Sequence, residues 1–346
     1  MPPSDPPPPT AIIVAATQDP AAIDLRPSSK LGPVSADLRK IDQQVAESIQ
    51  ASVSENTLRA YVTQYRQYEA WCEAAGLSAM PADPAVVARY AQALATAGRK
   101  ISTVKLAVAA IAFRHRHAGH IWDERNVVLA STLRGLRRKL GVRPEKKAPV
   151  LAGTLRNNMS DEDDRERTLT ELRDKALLLF GWAGAYRRSE IVSFDVGDLT
   201  WEDDGIIALL RRSKVDQEGA GTEKGIPYAS NAATCPVLAL RAWIDAAGIE
   251  NGPLFRRIRR GGRVTEERLA AASVATIVKK FLSDRGVDPS KYAGHSLRSG
   301  FATSAAENGA TLEEIMRQTG HKTEAVAMGY IRHANLLKKN PGSGLL

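Results

Sequence analysis

Cysteine is nearly absent from this sequence: Cys72 and Cys235 are the only two in 346 residues. Two thiols so far apart provide neither a disulfide framework nor a zinc site, and a reducing compartment is the default. Long apolar runs are missing as well. The longest, Ala176 to Tyr186, is too short to cross a bilayer as a helix. The patch Ala11 to Ala16 has no basic leader ahead of it, so no signal peptide is expected and the cytoplasm is the expected location. No Gly-x-x-x-x-Gly-Lys-Ser/Thr loop is present to cradle a nucleotide, which argues against ATP-driven chemistry. Nor is there a carboxylate cluster suited to two catalytic metals. The acidic run Ser160-Asp161-Glu162-Asp163-Asp164 lacks the Gly and terminal Glu of a calcium loop and reads as a solvated stretch capping the helix at Thr168. No cofactor and no metal are expected.

What the chain does have is length, helical periodicity and positive charge. At 346 residues it can bury about two cores, and 43% hydrophobic with 25% charged residues is ordinary for a globular protein. The balance of 48 basic against 39 acidic residues, a net +9, points to a polyanionic partner. Residues 1–35 open with Pro2-Pro3-Ser4-Asp5-Pro6-Pro7-Pro8-Pro9 and show no lasting apolar period, so a disordered tail is expected. An arm there that binds a polyanion would be basic. Residues 1–50 instead carry four basic side chains (Arg26, Lys30, Arg39, Lys40) and six acidic ones (Asp5, Asp19, Asp24, Asp37, Asp42, Glu47).

From residue 36 to 143 the pattern is helical throughout. Ser54 is a candidate N-cap, after which Leu58, Tyr61, Val62, Tyr65, Tyr68 and Cys72 recur at three and four until Gly76. Further helices follow after Pro84 (Val86, Val87, Tyr90, Leu94), from Ser102 (Val104, Val108, Ile111) to Gly119, and from Asn126 (Val128, Leu129, Leu133, Leu136) to Gly141. The charge of this region is uneven. Between Arg99 and Lys147 stand thirteen basic residues (Arg99, Lys100, Lys105, Arg114, Arg116, Arg125, Arg134, Arg137, Arg138, Lys139, Arg143, Lys146, Lys147) against three acids (Asp123, Glu124, Glu145). Solvated faces mix signs and this one does not, so it is expected to bind phosphate. Residues 144–150, with Lys146-Lys147-Ala148-Pro149, read as an interdomain linker that carries two cations. Arg114-His115-Arg116-His117 with His120 suggests a metal site, but Asp123 and Glu124 are the only nearby groups to complete it, and phosphate contact is the preferred reading.

A second domain is expected over 151–335. Leu169, Leu172, Ala176, Leu179 and Phe180 mark a buried helix. The period then shortens: Val196 to Leu199, Ile206 to Leu210 and Gly225 to Tyr228 predict a three-stranded antiparallel sheet, with turns at Asp203-Asp204-Gly205 and Asp216 to Lys224. Helices return at Val237 to Ala246 and Ser273 to Arg285. Near the C-terminus, His295 and Arg298 are three apart at the start of a predicted helix, Ser296 to Asn308, so both project from one face that can hold one anion. His321 ends a second helical run (Leu312 to Thr319), and Tyr330 lies nine residues on in a third (Glu324 to Arg332).

Together with Arg187-x-x-Glu190 and a hairpin lysine, Lys214, these residues resemble the signature of the tyrosine recombinase (phage integrase) family: Arg-x-x-Glu, hairpin Lys, His-x-x-Arg, Gly-His, and Tyr nine residues later. The resemblance covers roughly residues 50 to 335. It implies a mainly α fold: an all-helical, SAM-like core-binding domain plus a mixed α+β catalytic domain with a small sheet, forming a C-shaped clamp on double-stranded DNA. It implies site-specific recombination through a 3′-phosphotyrosyl intermediate. In that chemistry Tyr330 is the nucleophile. Arg187, oriented by Glu190, and Arg298 hold the non-bridging oxygens; His295 is the base or acceptor, His321 a hydrogen-bond donor, and Lys214 the acid for the leaving 5′-oxygen. Lys224, on the far side of the loop, competes with Lys214. Arg211 and Arg212 at the same hairpin are further expected DNA contacts. The long hairpin loop and Thr319, which stands where the family usually has an apolar residue before Gly-His, are departures from the pattern.

Members of the family act as a ring of four, so a homo-oligomer is expected: a tetramer in the synapse, monomer or weak dimer when free, with a directionality factor possible. Leu336-Leu337, in the tail 336–346, are candidates to pack on a neighbouring subunit, against the alternative of a frayed end. A type IB topoisomerase or telomere resolvase would use the same constellation. A DNA-binding relative with a decayed site and a small-substrate phosphotransferase are weaker alternatives, the last because it would have no use for the basic stretch.

Overall fold

The computed structural model describes residues 44, 48, 53–123, 125–141, 147–159, 167–211 and 221–331, with 332–335 as backbone. The expected N-terminal tail, the acidic run after Met159, Arg143, Lys146, the hairpin tip with Arg212 and Lys214, and the tail from Leu336 lie outside these residues. The chain divides into two compact units, Met1–Pro144 and Glu145–Leu346.

The first unit is built from α1 (Glu55–Ala74), α2 (Pro84–Thr96), α3 (Ile101–His117) and α4 (Val127–Leu140). Local chemistry sets most of the boundaries. The Ser54 hydroxyl accepts from Thr57 N, the Asp83 carboxylate takes Ala85 N and Val86 N ahead of Pro84, and Asn126 takes Val128 N and Leu129 N. Gly141 ends α4 at φ +72°. The core is aromatic at its centre, with Tyr68 and Trp71 each 5.2 Å from the Tyr90 ring, closed by Val87, Leu94, Val104, Ile111, Leu129 and Leu136. The apolar stripe of α4 faces this core, leaving Arg134, Arg137, Arg138 and Lys139 exposed. Lys100, Lys105 and Arg116 are exposed too. Arg99 and Arg114 are half-buried, and Arg114 lies over the Tyr65 ring at 5.9 Å. The histidines turn inward: His117 Nδ1 bonds Phe113 O at 2.8 Å and His115 is buried against His120 and Trp122.

The second unit contains α5 (Ala152–Asn158), α6 (Leu169–Ala183), α7 (Arg188–Ser193), strands β1 (Leu199–Glu202), β2 (Gly205–Leu210) and β3 (Thr222–Pro227), α8 (Pro236–Ala247), β4 (Arg256–Ile258), β5 (Val264–Arg268), α9 (Ala271–Ser283), α10 (Ser296–Glu307), α11 (Leu312–Thr319) and α12 (Glu324–Asn335). The three-stranded antiparallel sheet runs β1-β2-β3, with Glu202 opposite Gly205 across a two-residue turn. Its first strand begins later than the apolar run Val196–Leu199 suggests. Asp195 N donates to Asp198 Oδ2, closing Val196–Asp198 into a 3₁₀ turn and moving the strand on to Leu199. The hairpin β4–β5 is a second sheet that the charge-rich sequence around Arg257 and Glu267 does not announce. A large core (Phe180, Tyr186, Phe194, Trp243, Phe255, Val278, Leu297) joins α6 through α10. A small separate cluster, Ala302, Ala306, Ile315 and Ala327, joins α10, α11 and α12.

The stretch expected as linker ends on the second unit. Ala148 N donates to Lys291 O, Lys147 Nζ to Ser290 O, and Val150 N to Ser296 O. Val150 O in turn accepts from Trp182 Nε1 at 2.8 Å. Gly300 permits this docking, because a Cβ there would lie 1.8 Å from Val150 O.

Candidate active site

The site is organised by the turn that leaves α6. Ala185 is the one described non-glycine residue at positive φ (+49°), and the carbonyls on and before it are each taken by a different element. Gln318 Nε2 of α11 donates to Ala183 O at 2.8 Å, Lys224 Nζ of β3 to Gly184 O at 3.0 Å, and Arg298 Nη1 of α10 to Ala185 O at 2.8 Å. The turn delivers Arg187 to the start of α7, where Glu190 closes a capping box. One carboxylate oxygen accepts from Arg187 N and the other pairs with its guanidinium. Glu190 is buried, so it fixes the half-buried Arg187 head from beneath.

Arg298 is 0% exposed, yet its Nε and Nη2 have no hydrogen-bond partner among the described residues. Burial, with Arg187 next, pulls this guanidinium down to about 10. Unpaired buried donors on a cation beside a second cation are stabilised by an anion. His295, the residue before α10, is exposed as a residue. The surrounding protein, then Arg298 and Arg187, hold it below its ordinary value. His321 is pushed down to about 4, first by burial, then by Arg298, Arg187, His295 and Lys224. Tyr330 on α12 stacks on His321 with centroids 6.0 Å apart and planes at 23°. Burial raises its hydroxyl above the usual phenol value and Arg298 opposes this.

Arg187, Glu190, His295, Arg298, His321 and Tyr330 are therefore brought together from four segments. Lys214 and Arg212 lie outside the described residues. Arg211, expected on DNA, has its Nε on the buried Asp198 carboxylate at 2.6 Å. Lys224 is 5% exposed, over the Tyr186 ring at 4.7 Å, and burial pushes its ammonium down to about 7, with Arg298 adding to the effect. The sequence alone leaves Lys224 at the end of the turn, but β3 begins at Thr222, and alternation along it puts Lys224 on the face of Ile226, the core face. Gln318 had no such signal, because its partners Ala183 O and Gly225 O are set by tertiary packing. Among the described residues no group of three His, Cys, Asp or Glu could hold a metal ion, and no helix is long and apolar enough to cross a membrane.

Two guanidiniums, two imidazoles and a phenol in one site have the chemistry to transfer a phosphodiester to a tyrosine. Comparison with known proteins agrees. Residues 157–336 match the model of the phage integrase family, and residues 48–118 match the phage integrase N-terminal SAM-like domain. An integrase/recombinase XerD homolog of Selenomonas ruminantium is 40% identical over 295 residues, 84% of this chain and 86% of that protein. The recombinase Cre of Escherichia phage P1 is 24% identical over 300 residues, 81% and 84% of the two chains. In fold, the chain is similar to the XerH site-specific recombinase bound to a palindromic difH substrate (TM-score 0.56, 15% identity, 83% and 90% covered). It is also similar to a lambda integrase dimer bound to a COC′ core site (TM-score 0.54, 18% identity, 84% and 93% covered). The chain belongs to the phage integrase family.

Proposed function

We propose that this chain is a site-specific recombinase that cleaves and rejoins double-stranded DNA through a 3′-phosphotyrosyl intermediate, without metal or nucleotide. The observation that carries this is Arg298: a fully buried guanidinium with two nitrogens unpaired among the described residues, next to Arg187, fits the two non-bridging oxygens of one phosphodiester. Tyr330 Oη attacks phosphorus and loses its proton to a neutral imidazole, His295 or His321. The 5′-oxygen leaves and takes a proton from Lys214. Lys224, engaged on Gly184 O, serves the turn that holds both arginines. The phosphotyrosyl bond keeps the energy of the broken one, so the 5′-hydroxyl of another strand reseals it. One site cuts one strand and exchange needs four, so a tetramer is the working assembly, formed on DNA in the cytoplasm. A directionality factor would act on that assembly. The basic face of the helical unit, with Lys147, would grip the backbone.

The test is a nicked suicide substrate and a denaturing gel. Wild type should form a covalent adduct, and Tyr330→Phe should bind DNA with unchanged affinity and form none. An undiminished adduct in the Phe variant would move the nucleophile elsewhere, Tyr292 being the nearest competitor in sequence.

A further inference from the structure

We propose that Thr319 is a positioning residue whose hydroxyl holds the neutral His321 ring as the Nδ1–H tautomer, leaving Nε2 bare as a proton acceptor. Thr319 is 0% exposed on the last turn of α11. Its Oγ1 lies 2.6 Å from Ile315 O and 2.8 Å from His321 Nδ1. A hydroxyl has one proton to give, and a carbonyl can only accept. The proton therefore belongs to Ile315 O. The reverse arrangement would press two oxygen lone pairs together at 2.6 Å. Oγ1 then offers His321 a lone pair, and Nδ1 must carry the hydrogen. The backbone enforces the meeting. Gly320 adopts a left-handed conformation (φ +64°) with its N–H on Met316 O, which folds His321 back beside the side chain two residues before it.

The consequence rests on the reading that His321 acts at the phosphodiester. Among the described residues the groups that face it are Arg298 of α10, Arg187, His295, Lys224 of β3 and Tyr330 of α12, and the cations among them favour the neutral ring. A neutral Nδ1–H imidazole cannot donate from Nε2 to a phosphate oxygen. It can accept the proton of Tyr330. As the tyrosine O–H breaks and its oxygen bonds phosphorus, the proton passes to Nε2. The resulting imidazolium then donates to a non-bridging oxygen. When the 5′-hydroxyl attacks, the departing phenolate recovers the proton.

The full chain labelled with ¹⁵N-histidine, with His321 assigned by His321→Gln, tests this directly. At pH 7 the His321 nitrogens should show a protonated Nδ1 and an unprotonated Nε2. Thr319→Ser should keep that pattern, and Thr319→Val, of the same shape, should lose it. Cleavage of the suicide substrate should slow about 10–100-fold in Thr319→Val and recover to within about threefold in Thr319→Ser. An Nε2–H tautomer in wild type overturns the proposal. So does a Val variant with unchanged tautomer or unchanged cleavage rate. The tautomer is read without activity, so full cleavage by His321→Gln would remove the catalytic reading of His321 separately.

Discussion

Burying a lysine costs stability, and Lys224 recovers only part of it from Gly184 O and the Tyr186 ring. Its folded value of about 7 lies below the ordinary 10.5. Between those values the unfolded chain binds more protons than the folded one, so this group makes stability rise with pH from about 7 towards 10. Below 7 the full cost of the buried cation is present. Lys224→Met should therefore compare best with wild type at pH 6, by about 1–3 kcal/mol, and lose that advantage as pH approaches 10. Denaturant melts at pH 6, 8 and 10 measure it. A constant difference would place the ammonium in water. Cleavage should fall about tenfold or more throughout, because the turn holding Arg187 and Arg298 is loosened. His295 and Arg298 are legible in the sequence because their three-residue spacing at a helix start puts them on one face, and His321 and Tyr330 are legible through the Gly-His and Tyr pattern of the family they resemble. What Lys224 and Thr319 do is not, since the contact to Gly184 spans 40 residues and the Thr319 contact depends on Gly320 turning left-handed.

At the scale of elements, caps and apolar periods carry most of the fold. Leu312–Thr319 begins and ends where its spacing predicts, with Thr311 and Glu314 boxing its start and Gly320 its end. The sequence signal fails where side chains override it: at Val196, where Asp195 and Asp198 make a turn, and at β4–β5, whose strands are charged. Backbone contact is equally invisible in the sequence. Gly300 lies in a helix, where glycine is normally a weakness, and its value is the room it leaves for Val150 O. Gly300→Ala should cost about 1–3 kcal/mol or more, because the clash is with backbone and the docked segment must move. Gly153→Ala in α5, with nothing within 4 Å of the added methyl, should stabilise by up to about 1 kcal/mol. Urea midpoints of the two variants check the contrast. Equal midpoints would mean that the Val150 segment yields without cost.

Over the whole molecule, the positive charge is concentrated on the helical unit, while the site lies in the second unit. If the stretch Arg99 to Lys147 neutralises about six to eight phosphates, log affinity should fall against log salt with a slope of roughly −5 to −7. Replacing Arg134, Arg137 and Arg138 together should flatten it by about two to three. Filter binding across a salt series reads both, and a slope near zero would leave the charge facing solvent. Assembly is the remaining question at this scale. The second unit has a cavity of about 470 Å³ lined by Leu155, Leu179, Trp182, Tyr228, Pro236 and Phe301, a mostly apolar opening. The chain that follows Asn335 carries two apolar pairs, Leu336-Leu337 and Leu345-Leu346, on either side of Pro341-Gly342-Ser343-Gly344. A tail of this kind, donated to the cavity of the next subunit, would close a head-to-tail ring and link one Tyr330 helix to its neighbour. That helix is suited to such coupling, because Ala302, Ala306, Ile315 and Ala327 form a small cluster that holds it apart from the main core. Truncation after His333 should then leave single-site binding intact, lower cooperative loading of a second subunit about tenfold or more, and abolish recombination. Gel shifts on one-site and two-site DNA, beside a recombination assay, separate these effects. Cooperative loading and a normal rate in the truncated protein would assign the coupling to another surface.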